Sequence, residues 1–167
     1  MLNPAKKVLI DFIKGSNAIA KEYDEDAIED SVDAWEYLVS WNELSVSKIL
    51  HVHMLIMLYR TETQCGKFRK EDIDRVSCYP GNEVARRMTE WLKKYNNVEF
   101  VRGKDKKQAV KDIWQAHVEF EEIHPFEDGN GRVGRMILNW HMAKADLPIV
   151  VIGEGAQQKK YYEVFNS

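Results

Sequence analysis

Two cysteines in 167 residues are too few for a disulfide framework, and no Cys/His cluster has zinc spacing. Reduced thiols in a cytoplasm are therefore expected. Long apolar runs are missing too: the stretch at 8–13 is interrupted by Asp11 and followed by Lys14, too short and too charged for a signal peptide or a membrane span. Charge of one sign is not in excess. With 24 basic against 27 acidic residues the net charge is -3, which argues against direct, electrostatic binding of nucleic acid. There is no repeat, low-complexity tract or Pro/Gly-rich linker, and a 44% hydrophobic fraction can fill one core with little room for a second. A single domain over 1–167 is expected. Its charge is uneven, acidic over 22–36 and basic over 60–75 and 93–111, which suits an anion-binding half under an acidic cover or, equally, solvated faces.

Apolar spacing predicts a mainly helical chain. Asn3-Pro4 reads as a cap and first helical position, with Gly15 ending that helix near Lys14 and Ser16 capping a short new one. Helical stripes follow at Ala27, Ile28, Ser31, Ala34, Trp35 and Leu38; at Ile49, Leu50, Val52, His53 and Ile56 after Ser45 or Ser47; and at Val84, Ala85, Met88 and Trp91 after a cap at Asn82. Further helices are predicted over 105–123, from Val133 onward, and within 156–165. The exception is 66–81, where alternating Phe68, Ile73, Val76 and Tyr79 between Gly66 and Pro80-Gly81 predict a short β-hairpin flap.

The chemistry concentrates in 124–135: His124-Pro125-Phe126-Glu127-Asp128-Gly129-Asn130-Gly131-Arg132-Val133-Gly134-Arg135. Gly129 and Gly131 lie in a tight loop that feeds a helix N-terminus, where amides without intrahelical partners and a positive dipole end attract anions. Arg132 and Arg135 oppose that dipole unless an anion is bound, and their spacing places both guanidinium groups on one helix face, able to fork onto successive phosphates. Asp128 is a hard oxygen ligand suited to Mg²⁺ on those phosphates. His124 can accept a proton near neutral pH, and Phe126, a lone aromatic among polar residues, reads as a buried anchor. His51, His53, His117 and His141 read as structural, and Asn139 is a weaker candidate for ribose contact.

The segment resembles the signature of the Fic family, His-x-Phe-x-(Asp/Glu)-Gly-Asn-Gly-Arg-x-x-Arg, with every specified position filled. Ser16-Asn17-Ala18-Ile19, residues 33–38, Gly66-Lys67-Phe68-Arg69 and Tyr161-Tyr162 are similar to family positions in the same order. The resemblance implies an all-α Fic fold with a flap at 66–81, and a protein adenylyltransferase that moves AMP from ATP to a target-protein hydroxyl. It implies His124 as general base, Asp128 as Mg²⁺ ligand, Gly129, Asn130 and Gly131 as the phosphate cradle, Arg132 on the β-phosphate and Arg135 on the γ-phosphate. The flap would clamp the target by strand addition.

One departure concerns residues 1–23. Many family members carry (Ser/Thr)-x-x-x-Glu-(Gly/Asn) there, the glutamate pairing with the second motif arginine to exclude the γ-phosphate. Here Ser16 keeps its place while Ala20 stands at the glutamate position and Lys21 at the Gly/Asn position. Glu22, two residues on, would point elsewhere on a helix. A derepressed enzyme is implied, engineered or held by a separate antitoxin. Doc-like transfer of the terminal phosphate and an idle nucleotide-binding toxin-antitoxin module remain alternatives, and self-association is left open.

Overall fold

The computed structural model describes residues 4–60, 65–73 and 78–166. Among the described residues seven α-helices carry the fold: α1 (Pro4–Ile19), α2 (Glu25–Val39), α3 (Val46–Ile56), α4 (Val84–Tyr95), α5 (Lys106–Ile123), α6 (Asn130–Lys144) and α7 (Ala156–Glu163). Three helices begin where short polar side chains satisfy orphan amides: Asp24 accepts from the Asp26 N–H, Ser45 from Lys48 and Asp105 from Gln108. No described helix is long and apolar enough to cross a membrane.

The centre is α6, on which every residue from Arg132 to Met142 is buried. A helix buried on all sides belongs inside a bundle. α1, α2, α3 and α5 pack on it, and Phe12, Trp35, Ile56, Phe120, Phe126 and Trp140 share one continuous core. A smaller cluster of Ile19, Ile152 and Tyr161 joins the end of α1 to the loop before α7 and to α7 itself. That arrangement brings three distant parts of the chain to the N-terminal end of α6.

Three local expectations are corrected. Gly15 does not end a helix, because α1 runs through it to Ile19. Its missing Cβ instead admits the Ile152 carbonyl, which would lie 2.4 Å from such an atom. Ser16 is consequently an interior residue of α1 rather than a cap. Asn82 caps nothing: it sits in a 3-10 turn, Gly81–Glu83, and α4 begins without a side-chain cap.

The β-hairpin flap is absent among the described residues, where 65–73 and 78–80 form no strand; Val76 lies outside them. The physical reason is a competing set of acceptors. Four consecutive carbonyls at the C-terminal end of α5 take donors from this segment: Glu122 from the Tyr79 N–H at 3.3 Å, Ile123 from Arg69 Nη2 at 3.2 Å, His124 from Arg69 Nε at 2.6 Å and Pro125 from the Arg69 N–H at 2.9 Å. The Arg69 and Tyr79 main-chain donors, which a hairpin could spend on its own ladder, satisfy a helix end instead.

Candidate functional site

α5 stops at His124, whose backbone turns left-handed (φ 49°, ψ 63°) while its N–H still donates to the Phe120 carbonyl. A residue with a side chain seldom holds that conformation outside a helix C-cap or a constrained site. Pro125 forbids continuation of the helix, and Phe126 then drops fully into the core. Asn130 closes the loop from its far end: its amide donates to the Phe126 carbonyl and accepts from the Phe126 N–H, both at 2.8 Å. The Asn130 side chain is thus spent on bracing, which leaves its main chain for an anion.

Gly129 caps α6 with φ 81°, where an added Cβ would also press on Met57 Sδ at 3.0 Å. Both facts require glycine. The first intrahelical bond of α6 runs from the Val133 N–H to the Gly129 carbonyl, so the amides of Asn130, Gly131 and Arg132 have no acceptor within the helix. They overlap the expected phosphate cradle at Asn130 and Gly131, while the Gly129 N–H donates to Asp128 Oδ1 at 2.6 Å. Gly131 has a second role that spacing alone did not reveal: a Cβ there would stand 2.8 Å from Arg135 Nη1. Its absence lets the guanidinium fold back over the helix start.

His124, Asp128, Gly129, Asn130, Gly131, Arg132, Arg135 and Ala20 all line one cleft of about 250 Å³. Two of its cations are buried, which demands partners or a ligand. Arg135 donates to Ser16 Oγ and to the Ser16 carbonyl, both at 2.9 Å. Arg132 donates to Tyr59 Oη at 2.6 Å and to Met57 Sδ at 2.9 Å, and its buried Nε has no hydrogen-bond partner among the described residues. Asp128, 44% exposed at its side chain, accepts from the Gly129 N–H and lies 3.2 Å from Arg60.

Glu22 does turn away from Arg135, for a reason other than helical phase. α1 ends at Ile19, Lys21 is left-handed (φ 61°), and the Glu22 carboxylate pairs with Arg60, the cation that also touches Asp128. Asn139 leaves the ribose reading behind as well. Its amide exchanges two hydrogen bonds with the Val150 main chain. His117 lies 2.9 Å from Tyr161 Oη and His141 donates to the Tyr95 carbonyl, positions that fit their structural reading.

Sequence reasoning undervalued His53 and the C-terminal aromatics. The His53 ring stacks on Phe126 with centroids 3.8 Å apart and planes 1° from parallel. Its Nδ1 accepts from the Gly66 N–H at 2.9 Å, which leaves Nε2 to donate to the Asp128 carbonyl at 3.0 Å. Burial holds its pKa down at about 4, so the neutral ring persists at physiological pH. On apolar α3 its ring passed for core, and only the tertiary partner distinguishes the two. Tyr161, Tyr162 and Phe165 form an aromatic wall of the cleft. Among the described residues no group of three or more His, Cys, Asp or Glu could hold a metal unaided.

Residues 43–142 match the model of the Fic/DOC family. Over 130 residues the chain is 30% identical to the protein adenylyltransferase Fic of Drosophila willistoni, covering 75% of this chain and 24% of that protein. It is also 30% identical to the Drosophila erecta protein of the same name over 75% of this chain. The chain thus spans about a quarter of the length of the curated relatives it matches. Among solved structures, a Fic domain containing signaling protein from Bacteroides thetaiotaomicron superposes with a TM-score of 0.79 at 18% identity, over 96% of this chain and 71% of that one. Fic-1 from C. elegans gives 0.80 at 17% identity, over 98% and 58%. The Bartonella tribocorum BepC protein, solved with bound AMPPNP, gives 0.57 at 15%, over 71% and 66%. With residues 43–142 matching the family model and the motif loop set in a helical frame, the chain belongs to the Fic/DOC family.

Proposed function

We propose that the cleft transfers AMP from ATP to a hydroxyl group of a target protein. The observation that carries this reading is the meeting of His124, the amides opening α6, and the buried Arg132 and Arg135 in one cleft. His124 takes the proton of the incoming hydroxyl, whose oxygen attacks the α-phosphorus. The bond from that phosphorus to the β-phosphate's bridging oxygen breaks, and pyrophosphate leaves. The amides of Asn130, Gly131 and Arg132, with the Arg132 guanidinium, offset charge on the departing side, and Arg135 receives the γ-phosphate. Positioning and charge neutralisation suffice, without a covalent nucleophile. The names of the fly relatives and the AMPPNP carried by the Bartonella protein support an ATP donor.

Mg²⁺ fits the donor set in a limited sense. A single exposed carboxylate, Asp128, matches an ion held chiefly by phosphate oxygens and water rather than by a protein cage. When bound it supplies charge neutralisation between phosphates. The Arg60 guanidinium beside Asp128 has Glu22 as its alternative partner.

Ala20 presents a methyl group to the cleft where the inhibitory carboxylate would stand, so the enzyme is derepressed in this reading and would need control by an antitoxin or another partner. Incubating the protein and a cell lysate with α-labelled and γ-labelled ATP tests the proposal. Label on protein from the α position supports it; label from γ alone makes the chain a Doc-like kinase, and label from neither makes it a binding module. His124→Ala is expected to lower transfer by about 10²–10⁴-fold with AMPPNP affinity nearly unchanged. Parallel loss of both would assign His124 to binding instead.

A further inference from the structure

Arg69 is 3% exposed, and the groups its guanidinium meets are main-chain carbonyls from two parts of the chain. One set ends α5: Ile123 and His124, reached by Nη2 and Nε at 3.2 and 2.6 Å. The other set belongs to 66–81: Glu71, reached by Nη1 at 3.0 Å, and Tyr79, reached by Nη2 at 2.6 Å. The Arg69 N–H adds a bond to the Pro125 carbonyl at 2.9 Å. The cation suits this place because the last carbonyls of a helix carry partial negative charge. Lysine could not reproduce it, having one point charge in place of a planar fork. The bond to His124 is made at the residue whose left-handed backbone sets where the imidazole points.

We propose that Arg69 is a positioning residue that fixes the His124 ring and couples it to the 66–81 segment, so that the chain which would seat the target and the base which would take its proton move together. This rests on the adenylyl-transfer reading for its catalytic consequence, though not for its structural one. Arg69 is not among the residues that line the cleft. Its replacement therefore separates rate from nucleotide binding: a base displaced by about 1 Å costs on the order of 10²-fold in rate, while the anion cradle, held by Asn130 and His53, stays in place.

The test compares Arg69→Lys and Arg69→Met with the parent in three measurements: AMPPNP affinity by calorimetry, single-turnover transfer of α-label, and the ¹⁵N imidazole resonances of His124, assigned by their loss in His124→Ala. The expected result for folded Arg69→Lys is affinity within about 3-fold of the parent, displaced His124 resonances and transfer slowed by about 10²-fold. Unmoved resonances, a parental rate, or affinity and rate falling together would each overturn the proposal. If the parent transfers no label, adenylyl transfer fails as a function, and the His124 resonances still decide the coupling. If Arg69→Met does not fold, Arg69→Lys decides alone. Failure of both to fold with AMPPNP present makes Arg69 a folding residue and also overturns the proposal.

Discussion

At the scale of single residues, the N-terminal departure from the family pattern acquires a backbone explanation. The Lys21 N–H donates to the Ala18 carbonyl and the Glu22 N–H to the Asn17 carbonyl, the paired bonds of a Schellman ending, with Lys21 left-handed at φ 61°. Glycine or asparagine is favoured in that conformation, which accounts for the family preference there, and lysine is strained. Lys21→Gly is expected to raise Tm by about 2–4 °C, since the exposed Lys21–Glu154 pair it removes is worth little; an unchanged or lower Tm would count against the strain. Ala20 is the cap residue of this ending and lines the cleft with Arg135. Ala20→Glu should suppress transfer of α-label sharply and weaken ATP binding, because the new carboxylate would compete with the γ-phosphate for Arg135. Unchanged transfer in a folded variant would show that this helix is not the inhibitory element.

At the scale of elements, what could be read in advance depended on whether a signal was local. The helices came through because 3.6-residue spacing and short polar caps are properties of neighbouring residues, as Ser45 illustrates. The motif loop was legible because its chemistry sits within a dozen residues. Gly15 and the described part of 66–81 were misread for a shared reason: the Ile152 carbonyl and the end of α5 are partners distant in sequence. His53 belongs with them. It joins α3 to Gly66 and to the Asp128 carbonyl, so His53→Phe, which keeps the stacked ring on Phe126 and removes both bonds, should cost about 1–3 kcal/mol in urea melts. It should also weaken AMPPNP binding by loosening the loop that leads into α6. His53→Gln, which can donate and accept at similar reach, should recover part of each; a His53→Phe variant as stable as the parent beside a weakened His53→Gln would mean that stacking and not hydrogen bonding is what matters.

At the scale of the whole molecule, the central placement of α6 makes neutral histidines part of the packing around it, His117 and His141 among them. His117 on α5 faces Arg135 of α6 and Tyr161 of α7, and burial, with a smaller contribution from Arg135, pushes its pKa down to about 3. His141 on α6 faces the Tyr95 carbonyl at the end of α4, and burial lowers it to about 4. In the unfolded chain both return to about 6.5, so between these limits the unfolded state binds more protons and stability rises with pH. Their contribution is whole above about pH 6.5 and is lost as pH falls toward 4, at about 1.4 kcal/mol per histidine for each pH unit. Two such groups can consume most of a domain stability of about 5–15 kcal/mol before the carboxylates have finished titrating. Urea midpoints measured from pH 7.5 down to 4.5 should therefore hold level at first and then fall steeply below about pH 6. The weakening should begin in the range where histidine alone titrates, well above that of the acids. A midpoint that stays flat to pH 5 would mean that His117 and His141 are hydrated or protonated in the folded protein, and that the bundle around α6 is less closed than its burial implies.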